Sequence, residues 1–162
     1  MELHQDFREL LERFNVERVE YVVVGGYALA AHGAPRYTGD FDIYIRPTAE
    51  NADRVLAALR AFGFGSLDLT RSDFDHPGQV VQLGFEPWRV DLLTQIAGVS
   101  WEEAAGEAIT VSWGVDFPVI GRAALIRNKR ATGRPQDTVD AQRLESQPRA
   151  SPAPERFRHD AG

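Results

Sequence analysis

Three short features of the sequence bring together residue types that can do chemistry. Val24-Gly25-Gly26-Tyr27 places a glycine pair between a β-branched run and an alanine-rich segment. Without Cβ atoms the backbone there can come close to an anion, and a helix that follows offers free N–H groups. Many strand-to-helix turns use glycine only to turn, so the pair alone fits both readings. Asp40-Phe41-Asp42 sets two carboxylates at i and i+2. On a strand these share one face, while Phe41 and Ile43 point to the other. Adjacent carboxylates repel, and one keeps its proton unless a cation lies between them. The same pair would also suit a solvated strand edge. Asp91 stands within the otherwise apolar run Trp88-Arg89-Val90-Asp91-Leu92-Leu93. Buried there, it needs a cation, an arginine or solvent. Arg89, two residues away on the same face, can provide an ion pair. Strand pairing can instead bring Asp91 beside Asp40 and Asp42 as a third ligand.

Other candidates are weaker. Asp73-Phe74-Asp75-His76, with Asp68 nearby, is a second Asp-x-Asp, but its turn-rich setting has no rigid element to aim it and reads as a solvated loop. His32, just before Gly33 and Pro35, reads as a packed or capping histidine. Phe157-Arg158-His159-Asp160 falls in a tail of low apolar content. No Ser/His/Asp triad and no zinc-type histidine spacing is present.

The elements that must position these residues follow from periodicity. Leu3, Phe7, Leu10, Leu11 and Phe14 recur at helical spacing, predicting a helix over about residues 3–17. Tyr21–Val24 reads as a buried strand and Tyr27–His32 as a helix. Phe41–Ile45 reads as a second strand. Thr48 is an N-cap for a helix through Phe62, stopped by Gly63 and Gly65. Val80–Gly84 and Trp88–Leu93 form a hairpin around Glu86-Pro87. Ser100 caps a short helix, and Ile109–Trp113 and Val115–Val119 form another strand pair. Ala123–Ala131 is helical, and Pro135 starts a last helix to about Leu144. The pattern is α/β or α+β, with helices before, between and after the strands. A single domain is expected over residues 1–145, followed by a disordered, Pro-, Ala- and Arg-rich tail over 146–162.

Composition narrows the class. The 162 residues suit one domain, and 43% apolar with 26% charged residues is ordinary for a globular protein. There is no cysteine, hence no disulfide, thiolate metal site or cysteine nucleophile. No apolar run approaches the roughly 18 residues of a membrane span, and the first residues do not read as a signal peptide. A cytoplasmic protein is the expectation. A net charge of −6 argues against a generic nucleic-acid binder. The charge is uneven: residues 1–120 carry 9 Arg against 19 Asp and Glu, whereas Gly121–Arg134 carries five cations and no acid. An acidic body beside a basic segment can bind a metal and a polyanion together. On charge alone, a solvated basic helix is the simpler reading. Lys129 is the one lysine among 18 basic residues, a compact point charge where every other is a planar fork.

Taken in order, these residues resemble a known family. Gly25-Gly26-Tyr27-Ala28, Gly33, Arg36-Tyr37-Thr38, Asp40-Phe41-Asp42-Ile43, Arg89-Val90-Asp91-Leu92-Leu93, Leu125-Ile126-x-x-Lys129 and Arg134-x-x-Asp137-x-x-Asp140 are similar to the polymerase-beta-like nucleotidyltransferase superfamily. Within it they resemble the branch of AbiE-type toxin nucleotidyltransferases and their bacterial relatives. The likeness spans about residues 20–145. Gly-Gly stands where many members of the superfamily carry Gly-Ser. The resemblance implies a nucleotidyltransferase fold, a mixed β-sheet flanked by helices. It implies that Asp40, Asp42 and Asp91 are catalytic and hold two Mg²⁺ ions. Gly25 and Gly26 would cradle the triphosphate of an NTP such as ATP, with Arg36, Thr38 and Lys129 as further nucleotide-binding residues. An NMP would pass to an acceptor hydroxyl on RNA or tRNA, a protein or a small molecule, and the chain would be the toxin of a toxin–antitoxin pair. Little sequence follows Leu144, so an antitoxin, a second copy or the acceptor itself is expected to complete the site. The alternative is a catalytically silent nucleotidyltransferase fold acting as a binding or antitoxin-like module.

Overall fold

The computed structural model describes residues 3–36, 38–64, 68–85 and 88–147. Tyr37, Gly65, the Glu86-Pro87 turn and residues 148–162 of the expected tail, with Phe157–Asp160, lie outside the described residues.

The chain opens with α1 (Gln5–Val16), which buries Phe7, Leu10, Leu11 and Phe14. His4 caps it: its ring Nδ1 accepts from the Asp6 N–H at 3.2 Å. Next come β1 (Tyr21–Val24), buried throughout, and α2 (Gly25–Ala31). The helix starts at the glycine pair itself, two residues before the expected Tyr27. β2 (Asp40–Ile45) leads to α3 (Ala49–Leu59), whose Thr48 cap accepts from the Asn51 N–H at 3.2 Å. α3 was expected to reach Phe62. It widens instead into a π-type turn over Arg60–Phe64, where Gly63 takes φ +109°.

The hairpin β3 (Val80–Phe85) and β4 (Trp88–Leu93) forms as expected. α4 (Trp101–Gly106) carries a reciprocal cap between Ser100 and Glu103. β5 (Ile109–Ser112) pairs with β6 (Asp116–Val119), and α5 (Arg122–Thr132) and α6 (Pro135–Ser146) close the described chain. Gly133 ends α5 in the left-handed region, and Pro135 opens α6 at a position that needs no N–H.

The strands make one mixed sheet in the order β3-β4-β2-β1-β6-β5. β2 with β4 and β1 with β6 are parallel; the other pairs are antiparallel. β1 and β2 are central, which is why Tyr21–Val24 and Ile43–Ile45 are almost wholly buried. One face of β2 packs through Phe41 against Phe7 and Tyr27, with ring centroids 4.8 and 4.9 Å apart. The other face is covered at Tyr44 by the edge of Trp101. That cover stops short of Asp40 and Asp42, which lie farther back on the same face.

Asn51, fully buried on α3, fixes the far end of the sheet. Its side chain accepts from the Glu20 N–H at 2.7 Å and donates to the Glu20 and Arg46 carbonyls at 2.9 and 3.0 Å. Asn51→Ala orphans the Glu20 N–H and removes one of two donors from each carbonyl, which keep the Arg46 and Thr48 N–H groups, so urea unfolding should show a loss of about 1–3 kcal/mol. A loss below about 0.5 kcal/mol, typical of a surface change, would show that water replaces these bonds freely.

Candidate active site

The strand register assembles the acids. β2 and β4 run parallel with Asp42 opposite Asp91 and Asp40 opposite Arg89. Directly paired residues of neighbouring strands project to the same face. Asp40, Asp42, Arg89 and Asp91 therefore share one patch at the end of β2 that α4 leaves uncovered. On the other side β1 places Val24 opposite Asp42, so the chain turns into Gly25 beside that carboxylate.

Both glycines are required by what they touch. Gly25 has φ +70°, and a Cβ there would overlap Asp42 Oδ2. A Cβ on Gly26 would lie 2.6 Å from the Thr38 methyl. The pair thus does more than turn the chain: it lets the start of α2 close onto the acid patch. Thr38 in turn holds the approach to β2, its Oγ1 accepting from the Asp40 N–H at 3.2 Å and donating to the Asp40 carbonyl at 3.3 Å.

The electrostatics follow from crowding. Burial and the neighbouring Asp91 and Asp40 carboxylates push the Asp42 carboxyl up to about 7. It shares a hydrogen bond with Asp91, whose own carboxyl is raised by burial despite the Arg89 charge. Asp40 is drawn elsewhere: Arg89 Nη2 donates to its Oδ2 at 3.0 Å, and Arg89 Nε lies 3.5 Å from Asp91 Oδ1. As the side chains lie, no three Asp, Glu or His groups among the described residues gather around one point close enough to hold an ion. The expected convergence of three carboxylates on a single ion is therefore not what the side chains show. Asp42 and Asp91 share a hydrogen bond, while Asp40 accepts from the Arg89 guanidinium. The donor set still fits a hard divalent cation. All three groups are carboxylates on a rigid strand pair, and Asp91 Oδ1 is buried yet accepts no hydrogen bond.

The basic segment departs furthest from expectation. Lys129 was expected to face a triphosphate, and the five cations of Gly121–Arg134 to form either a wall for a polyanion or a solvated face. Each of them has a partner within the chain, and the side chains of Arg127, Arg130 and Arg134 are also substantially exposed, as in a solvated face. Lys129 is buried, 3.2 Å from Asp137 Oδ1 and 3.4 Å from Asp140 Oδ2. Arg127 pairs with Glu103 and Glu107, Arg130 with Glu145 and Arg134 with Asp137, while Arg122 donates to the Leu144 carbonyl. The segment is basic because α4 and α6 supply the acids it packs against. Arg36, another expected phosphate contact, donates to Asp140 at 3.2 Å. Lys129 is nonetheless close enough to Asp42 for its charge to favour the ionised carboxylate.

Lys129, Asp137 and Asp140 form a buried ionic cluster, which the exposed Arg36 joins through Asp140, linking the loop before β2 to α5 and α6. Its members were visible in the sequence as a lone lysine followed by acids at i and i+3; that they bind one another was not. Of the remaining candidates, His32 is packed as read, whereas the Asp73–His76 stretch is more ordered than a solvated loop. His32 Nε2 lies 2.7 Å from the Ile120 carbonyl, and burial lowers its pKa. Asp73 caps the short turn Arg71–Asp73, and Asp75 pairs with His76, while Phe74 anchors that loop in the core. A separate cavity of about 530 Å³, lined by Tyr44, Arg46, Thr94 and Trp101 among others, lies at the opposite end of β2 and does not reach the carboxylates.

The fold is that of the nucleotidyltransferases. A candidate nucleotidyltransferase from Thermotoga maritima, TM1012, aligns over 86% of this chain and 88% of its own, at 19% identity and a TM-score of 0.56. The antibiotic-resistance factor ANT(2'')-Ia aligns over 86% of this chain and 80% of its own, at 14% identity and a TM-score of 0.52. No protein-family model matches the sequence, and no curated protein does.

Two measurements test this geometry. Asp42 binds its proton more tightly folded than unfolded, its carboxyl moving from 3.8 to about 7. Stability should therefore fall as pH rises between those values, at up to about 1.4 kcal/mol per pH unit. Asp42→Asn should flatten that fall and be the more stable protein at pH 8 with chelator present. Parallel pH curves for the two proteins would refute the buried-carboxyl account. Gly25→Ala should cost about 1–3 kcal/mol through its positive φ and the overlap with Asp42. The loss should be smaller in an Asp42→Ala background; equal losses in both would show that the two residues are not in contact.

Proposed function

We propose that this chain is a Mg²⁺-dependent nucleotidyltransferase that moves an NMP from an NTP to an acceptor hydroxyl. The observation that carries this reading is the placement of Asp40, Asp42 and Asp91 on one face of the parallel β2–β4 pair, with the Gly25 backbone closed against Asp42. The nucleotidyltransferase fold supports it. In the reaction the acceptor oxygen bonds to the α-phosphorus, the bond to the β-phosphate breaks, pyrophosphate leaves and the hydroxyl proton is released.

Asp40, Asp42 and Asp91 would hold two Mg²⁺ ions, which when bound lower the charge barrier on the phosphates and activate the hydroxyl. Gly25 and Gly26 give backbone approach for the triphosphate, and Thr38 keeps the start of β2 in register. Lys129 and Arg36 contribute positive charge from behind the site, through the network with Asp137 and Asp140, and on this reading they bind the nucleotide when those acids share them with phosphate. Residues 1–145 are the catalytic unit, working in the cytoplasm; no helix among the described residues is long and apolar enough to cross a membrane.

The AbiE-type likeness makes a toxin role, with an antitoxin or a second copy as partner, the specific form of this proposal. ANT(2'')-Ia, an antibiotic-resistance factor, keeps a small-molecule acceptor equally in play. A second reading is a catalytically silent binding module. It is favoured by the Arg89–Asp40 pair, which occupies one of the three acids.

Incubation with each α-labelled NTP, Mg²⁺ and a cell extract separates the two. Label should move to an acceptor with the parent protein and fall by at least about 10²-fold with Asp42→Asn, which keeps its fold by circular dichroism. NTP binding without transfer under any of the four nucleotides would support the silent module.

A further inference from the structure

The acid patch already contains a cation of the chain's own. Arg89 stands opposite Asp40 in the β2–β4 register, and its guanidinium reaches both neighbours, donating to Asp40 Oδ2 at 3.0 Å and lying 3.5 Å from Asp91 Oδ1. The two contacts are unequal. Asp40 accepts a charge-assisted hydrogen bond, whereas Asp91 Oδ1, though buried, accepts none. Here the fork, fixed to the same strand as Asp91, aligns with Asp40 and is left without a hydrogen bond to Asp91 Oδ1. A spherical hard cation takes oxygens from several directions.

The backbone and side chain of Arg89 are also held differently. Its N–H donates to the Gly39 carbonyl at 3.3 Å and keeps the residue in the sheet. Its side chain is 29% exposed, and Asp40, its better partner, is 40% exposed, so solvent reaches the pair. Parting them breaks this side-chain bond and leaves the backbone bond to Gly39 in place.

We propose that Arg89 is an exchangeable counter-cation, which neutralises Asp40 and Asp91 in the protein alone and yields them when divalent ions bind, and so sets the metal affinity of the site. The inference rests on the reading of Asp40, Asp42 and Asp91 as metal ligands. Three carboxylates on one face repel one another, and a tethered guanidinium relieves this without a bound ion. The same charge opposes any cation that enters, so removing it should strengthen metal binding and weaken the protein that lacks metal. An ordinary strand ion pair would do only the second.

The probe is Mn²⁺ alone, with free ion counted by electron paramagnetic resonance in titrations of the full chain at fixed ionic strength. Arg89→Gln should bind Mn²⁺ roughly tenfold more tightly than the parent, the equivalent of one charge-assisted hydrogen bond. Its melting temperature in chelator should be lower, and added Mn²⁺ should raise it by more. Arg89→Lys keeps the charge but loses the fork, and carries the test if the glutamine variant does not fold; it should bind roughly two- to threefold more tightly. Unchanged or weaker affinity in the folded Arg89 variants, with binding still lost in Asp42→Asn, would overturn the exchange and leave the metal site standing. Parent-like Mn²⁺ binding by Asp42→Asn, or no binding by any of the proteins, would overturn both.

Discussion

Two carboxylates face each other across β2 and β4, and the sheet gives them no freedom to separate. The register that puts Asp42 opposite Asp91 is the same one that seats Phe41, Ile43, Val90 and Leu92 in the core. Slipping either strand by one residue would turn its own acid inward and expose its own apolar residues. The hydrophobic core thus enforces a repulsion that the acids alone would avoid. Nearby features answer to it: the shared hydrogen bond of the two acids, Arg89 leaning across to Asp40, and Lys129 placed where its field reaches Asp42. A site prepared for strong cations has to carry such tension before they arrive.

The polar side of the problem was settled by local rules, and those were readable. Alternation in Asp40–Ile45 predicts which face the acids occupy, and the glycine pair predicts a close backbone approach. Caps at Thr48 and Ser100 and the break at Gly133 are short-range chemistry, and the structure contains all three. The helix after β1 begins two residues early because glycine tolerates both its first turn and the crowding of Asp42. These successes share a cause: each needs only a few neighbouring residues to decide.

What could not be read was who neutralises whom. Five cations within Gly121–Arg134 look like an exposed basic face when counted along the chain. Their partners Glu103, Glu107 and Glu145 lie outside that window, on α4, at its C-cap and on α6. Likewise Arg36 and Asp140 are far apart in sequence and meet through packing. Arg89 was legible as a partner of Asp91, because both sit on one strand. That its better contact is Asp40, across the strand pair, required the parallel register. Sequence patterns fix faces and ends; ion pairing between elements depends on topology that periodicity does not encode.

The link between Arg36 and Asp140 has a consequence for how the chain acquires its structure. The two residues are separated by 104 positions. Closing so long a loop carries an entropic penalty that is recovered only when distant elements have already packed. During synthesis, the glycine turn and the first two carboxylates emerge well before α6, which supplies Asp140. For that interval the nascent chain holds an acidic cluster whose ionic backing has not yet been made. The last helix is therefore a late-arriving clasp, and a chain stalled just short of it would expose a site that is present in sequence but not yet held in shape.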